Sequence, residues 1–151
     1  MDLTARVFTA RGYRSLRQIT YPLTRLDVFV GANGVGKTNL YRALELLRAA
    51  ADNSLGATLA RDGMASTFWA GPRRARDPAE IELSISLGDA EARARGAGLT
   101  AQIWLVTHSE RLADAIAATG AGEVRTVEKH DGATWVGGLS RVGGFREDED
   151  E

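Results

Sequence analysis

Residues 31–38 read GANGVGKT, a full match to the pattern G-x-x-x-x-G-K-[ST]. Gly31, Gly34 and Gly36 free the backbone to wrap closely around an anion, so that successive N–H groups turn toward its oxygens. The flanks suit that task. Residues 26–30 (LDVFV) form a short apolar run that reads as a buried strand, and residues 37–51 place Leu40, Ala43, Leu44 and Leu47 on one helical face. The helix dipole adds positive potential behind the loop. Lys37 is placed to reach β- and γ-phosphates, and the Thr38 hydroxyl to ligate Mg²⁺. A glycine-rich turn with no ligand has little use for a helix-opening lysine. The expected ligand is therefore a nucleoside triphosphate with Mg²⁺.

The rest of the chain alternates strands and helices, which predicts an α/β fold. Residues 3–10 alternate loosely and read as a strand. Residues 53–79, with Gly56, Gly63, Gly71, Pro72 and Pro78, show no sustained period and read as an irregular connector with one or two short turns. Residues 80–87 (EIELSISL) alternate strictly, as in a half-buried strand, and 88–100 are small, charged and linker-like. A buried strand is expected at 102–107, then a helix from Ser109 to Ala118 with Ser109 as N-cap and Leu112, Ala115 and Ile116 facing inward. Residues 123–129 and 133–136 flank His130-Asp131-Gly132, a hairpin signal. Trp69, Trp104 and Trp135 read as packing residues and His130 as exposed.

Composition narrows the class. The chain has 151 residues, enough for one compact domain, here bounded at 1–139, with an acidic tail at 140–151 expected to be disordered. Nineteen Lys+Arg against twenty Asp+Glu exclude whole-molecule basicity as a pointer to nucleic acid. Without cysteine there is no disulfide, thiolate metal site or thiol nucleophile. No apolar run approaches a membrane span and the opening residues do not read as a signal peptide, so a cytoplasmic chain with no membrane partner is expected. Arg73, Arg74 and Arg76 beside Trp69 form a small basic cluster, weighed between a DNA contact and a solvated loop.

The segments RGYRSL (11–16) and LDVFVGANGVGKTNLYRAL together resemble the SMC/RecF-like branch of the ABC-type ATPases, whose members are often labelled AAA-family ATPases. In that branch an aromatic-Arg-Ser opening strand precedes a G-x-N-G-x-G-K-[ST]-N loop, matched here by Tyr13, Arg14, Ser15, Asn33 and Asn39. IWLVTHSERLADAI resembles the branch's switch-histidine segment, and EVRTVEKHDGATWV its closing hairpin. A small P-loop kinase with Arg73, Arg74 and Arg76 in a lid is the competing branch, but VTHSE has no place in it.

The resemblance implies a mixed sheet with flanking helices and ATP–Mg²⁺ as ligand. The cradle would comprise Gly31, Ala32, Asn33, Gly34, Val35, Gly36, Lys37, Thr38 and Asn39, with Thr38 on the metal and Lys37 and His108 in catalytic roles. It also implies nucleotide contacts for Tyr13 and Arg14, and ATP-driven clamping on DNA or a partner protein.

Two elements of the branch are missing. Only 71 positions separate Lys37 from His108, and they contain neither an apolar strand ending in Asp-Glu (Walker B) nor an LSxG-like signature turn. LSISLGD at 83–89 alternates as a strand, Asp27 lies at the wrong end of the strand entering the loop, and Glu110 reads as a helix opener. The chain thus reads as an ABC-like domain truncated in the middle. Loss of a positioned acid or base costs roughly 10²–10⁴-fold in rate. The expectation is ATP binding with weak or absent hydrolysis, and at most a weak homodimer. The alternative is a non-enzymatic vestigial or interaction module that keeps the fold without turnover.

Overall fold

A computed structural model of the chain describes residues 3–69, 71–72, 79–89 and 102–137. The expected basic cluster at Arg73–Arg76, most of the linker-like 88–100 and the acidic tail lie outside the described residues.

Strand β1 (Leu3–Tyr13) turns at Arg14-Ser15 into the antiparallel β2 (Leu16–Pro22), and β4 (Glu82–Asp89) pairs antiparallel on its other side, giving a sheet in the order β2-β1-β4. The second sheet runs β5-β3-β6-β7, from β3 (Leu26–Val30), β5 (Ile103–Thr107), β6 (Glu123–His130) and β7 (Ala133–Val136). Strands β5, β3 and β6 are parallel, while β7 returns antiparallel through a turn with Asp131 at φ 49° and Gly132 at φ 77°. Positive φ at both positions matches hairpin twist, as the Asp-Gly pair predicted.

Alternation along β3 divides the core. Val28 and Val30 face one side, where α4 (Glu110–Thr119) seats the buried Ala113 and the partly buried Ile116. Phe29 faces the other, where it meets Tyr21 from the first sheet and Trp104 from β5, and Phe8 packs on those two rings in turn, with ring centroids 5.2–5.7 Å apart. Helix α1 (Lys37–Ala51) adds Leu40, Ala43 and Leu46 to that core. This mixed α/β architecture, with two sheets and flanking helices, is the class expected from the sequence.

One strand was not foreseen, and three local expectations need correction. The segment after Ser15 is a full strand, β2, whose burial runs Leu16, Ile19, Tyr21 and does not alternate from its start. The connector after α1 is largely helical, with α2 (Leu55–Asp62) and α3 (Met64–Thr67). Helix α2 buries no residue fully and leans on the core only through Leu55 and Leu59, too sparse an apolar stripe to outweigh Gly56 and Gly63 in a pattern reading. Strand β5 is not fully buried, because among the described strands it is the sheet's edge: Ile103 is 53% and Val106 36% exposed. The inward face of α4 is Ala113 and Ile116, with Leu112 and Ala115 exposed, since the sheet beneath it ends at β5.

Candidate functional site

The loop at 31–36 leaves the C-terminal end of β3, between its two parallel neighbours. Gly34 (φ 83°) and Gly36 (φ 100°) take the left-handed turns that bring the chain round into α1. Gly31 is glycine for a different reason, since a Cβ there would stand 2.2 Å from the Val127 carbonyl oxygen of β6.

Lys37 is the first residue of α1 and is 9% exposed. Its Nζ donates to the carbonyl oxygens of Gly31 and Ala32, each at 2.6 Å. These charge-assisted bonds hold the ammonium across the mouth of its own loop, so its cost of burial is met before any ligand arrives.

The amino ends of α1 and α4 differ. In α4, Ser109 Oγ accepts from Leu112 N and Glu110 stands in the first turn, as the sequence led us to expect. In α1 the preceding residue is Gly36, no side chain caps the helix and its first turn holds no acid. Donors and positive potential at that end are left for a ligand, which is the condition for anion binding. Thr38, in this turn, is exposed.

A hydrogen-bonded chain supports the loop from behind. Asn39 Nδ2 donates to Ser15 Oγ (2.7 Å), Ser15 Oγ lies 2.5 Å from Thr134 Oγ1, and Thr134 Oγ1 donates to the Val35 carbonyl (2.9 Å). The sequence pattern puts Asn39 on the phosphate and marks no role for Thr134. Nothing local marks Thr134, which meets Ser15 across 119 positions.

His108 follows β5 at the same end of the sheet as the loop and is exposed. Asn33 and Gly34 are exposed at the loop's tip. Tyr13 and Arg14 face elsewhere: Tyr13 is 2% exposed, its hydroxyl accepts from Arg14 Nε (3.2 Å), and Arg14 reaches Asp62 of α2 at 3.6 Å. Asp27 is fully buried at the far end of β3, away from the loop, as expected.

A cleft of about 540 Å³ opens along the loop's first limb, between α4 and β6. Val30, Val124, Val127 and Ala113 give it apolar walls, and Glu110, Asp114 and Lys129 a charged rim.

A protein-family model described as "AAA domain, putative AbiEii toxin, Type IV TA system" matches residues 28–103, half of the chain, from within β3 through the whole loop to the first residue of β5. No curated protein and no solved structure matches the chain.

Proposed function

This chain belongs to that AAA-domain family, and from that premise we propose that it binds ATP with Mg²⁺ at residues 31–39 and turns it over slowly or not at all. The observation that carries the reading is the uncapped amino end of α1, entered through left-handed glycines with the Lys37 ammonium already held at the loop. In this reading the backbone from Asn33 to Asn39 cradles phosphate, Lys37 neutralises it, Thr38 ligates Mg²⁺ and His108 senses the γ-phosphate. The shape of the loop supports this reading: a Cβ at Gly34 would meet nothing within 4 Å, so the tip is open to a ligand, while the base of the loop at Gly31 and Gly36 is tightly packed. Bound Mg²⁺ supplies neutralisation of the β- and γ-oxygens.

The finer assignment is to the SMC/RecF-like branch, on the strength of Asn33, Asn39 and the VTHSE segment. That branch clamps DNA or a partner protein when ATP joins two heads, and the missing signature turn makes any homodimer of this chain weak. The missing Walker B acids bring turnover down to roughly 0.1 to 0.001 per second, from a typical enzymatic rate of about ten. No described helix is long and apolar enough to cross a membrane, and cytoplasmic residence belongs to this reading.

A second reading, an interaction module without turnover, draws support from the exposed Ile103 and Val106 on edge strand β5. Titration calorimetry of ATP–Mg²⁺ on wild type and Lys37→Ala separates the two. Micromolar binding, about −8 kcal/mol, that falls at least a hundredfold in Lys37→Ala supports the first. Equal affinity in both chains, or none in either, overturns it.

A further inference from the structure

We infer that Ser15 and Thr134 are positioning residues for the phosphate loop, acting through a one-directional relay of hydroxyls; the inference rests on the nucleotide-binding reading above. The direction follows from counting protons. The Val35 carbonyl can only accept, so Thr134 spends its single hydroxyl proton on it. The 2.5 Å contact with Ser15 must then be Ser15 Oγ–H donating to Thr134, which leaves Ser15 Oγ to accept from Asn39 Nδ2. The relay runs from Asn39 through Ser15 and Thr134 to Val35. Its two ends lie four residues apart on one stretch of chain, on either side of Gly36, Lys37 and Thr38. It is a buckle across the segment assigned to phosphate and metal.

Its effect on the loop is specific. A trans peptide is planar, so its C=O and N–H point in opposite directions. Holding the Val35 carbonyl on Thr134 therefore turns the Gly36 N–H away from β7. The Gly36 left-handed turn completes the arrangement, since a Cβ there would stand 1.8 Å from Thr134 Oγ1 and 2.6 Å from Ser15 Oγ. Thr134 is itself fixed: it is 4% exposed, and its N–H donates to the Ser15 carbonyl at 2.8 Å. Without the Thr134 hydroxyl the Val35–Gly36 peptide loses its tether and rotates; without the Ser15 hydroxyl Asn39 loses its acceptor and Thr134 Oγ1 the donor that fixes it, so the buckle opens and the loop no longer presents a preformed set of donors.

The test is ATP–Mg²⁺ titration of the full chain as wild type, Thr134→Ala, Thr134→Ser, Ser15→Ala and the Ser15→Ala/Thr134→Ala pair, each with its melting temperature. Thr134→Ser keeps the Oγ and should bind within about twofold of wild type. Thr134→Ala and Ser15→Ala should each bind about tenfold more weakly, the equivalent of one well-made hydrogen bond. Because both interrupt one relay, the double variant should bind no more weakly than about tenfold. A residue that merely supports the fold would lower the melting temperature and leave affinity unchanged in the folded protein. Wild-type affinity in both single variants, independent losses that multiply in the pair, or no rescue by serine overturns the relay. If Thr134→Ala does not fold, Ser15→Ala decides. Wild type that binds no ATP overturns the nucleotide reading and this one with it, whereas binding wild type with unaffected variants overturns the relay alone.

Discussion

Val30 and Thr107 stand opposite one another in the parallel register of β3 and β5. Both strands consequently end at one level, and the chain runs on into the loop at Gly31 and into His108 side by side. Parallel strands that end together bring residues from distant segments to one edge, which is where ligands of open α/β sheets bind. If His108 reads the γ-phosphate, His108→Ala should weaken ATP binding about three- to tenfold, within the range of one hydrogen bond, and leave ADP binding unchanged. Paired titrations with ATP and ADP check this, and equal losses for both would remove His108 from the γ-phosphate.

Gly34 and Gly36 are both left-handed, yet only one is enclosed. Alanine at Gly34 meets no neighbour and should cost only backbone strain, about 1–2 kcal/mol. Alanine at Gly36 adds overlap with Thr134 and Ser15, worth about 1–3 kcal/mol more. Urea unfolding of the two variants should rank Gly36→Ala clearly below Gly34→Ala.

Asp27 is wholly buried, and burial raises its carboxyl above the ordinary value. Hydrogen bonds from Thr24 N (2.9 Å) and Thr24 Oγ1 (3.0 Å), with the charge of Arg125, pull the other way. With the folded value above the unfolded one, the native state holds more protons between the two, and stability falls as pH rises through that window. Asp27→Asn has no such titration. Its unfolding free energy minus that of wild type should therefore grow as pH rises from the ordinary aspartate range and level off once Asp27 is ionised in the folded protein, as chemical denaturation across that range would reveal.

Gln102 joins the two sheets where β1 is irregular, at the register shift between Ala5 and Val7. Its amide accepts from Ala5 N (2.9 Å) and donates to Ala5 O (2.8 Å) and Thr24 O (3.1 Å), doing for one residue what a neighbouring strand would. Gln102→Leu should destabilise by about 1–3 kcal/mol, because those backbone groups lose their partner. A lower urea midpoint with unchanged slope is the expected result.

How much was legible in the sequence depended on how local each signal was. The GANGVGKT loop, the strand before it, helix α1, the Ser109 cap and the Asp131-Gly132 turn are written within a few neighbouring residues, and each appears where expected, although α1 buries Leu46 and Ala49 more deeply than the Leu44 and Leu47 its period put inward. Helix α2 escaped because it lies on the surface and its two core contacts leave almost no period. The half-exposure of Ile103 and Val106 escaped because an apolar run does not say whether its strand is central or at an edge.

The sequence by itself determined that the chain carries a phosphate-type loop between a strand and a helix, since glycine freedom, lysine charge and helix periodicity are properties of consecutive residues. Only the tertiary structure decided what holds that loop in shape. Asn39 turns to Ser15, Arg14 turns to Asp62, and Thr134 comes from the far edge of the second sheet to fix the Val35 peptide. A hydroxyl is the same group wherever it stands in the chain. Whether it is solvated or tethers a backbone carbonyl is set by which strands pair and which faces pack, and those partners lie a hundred residues apart only in sequence.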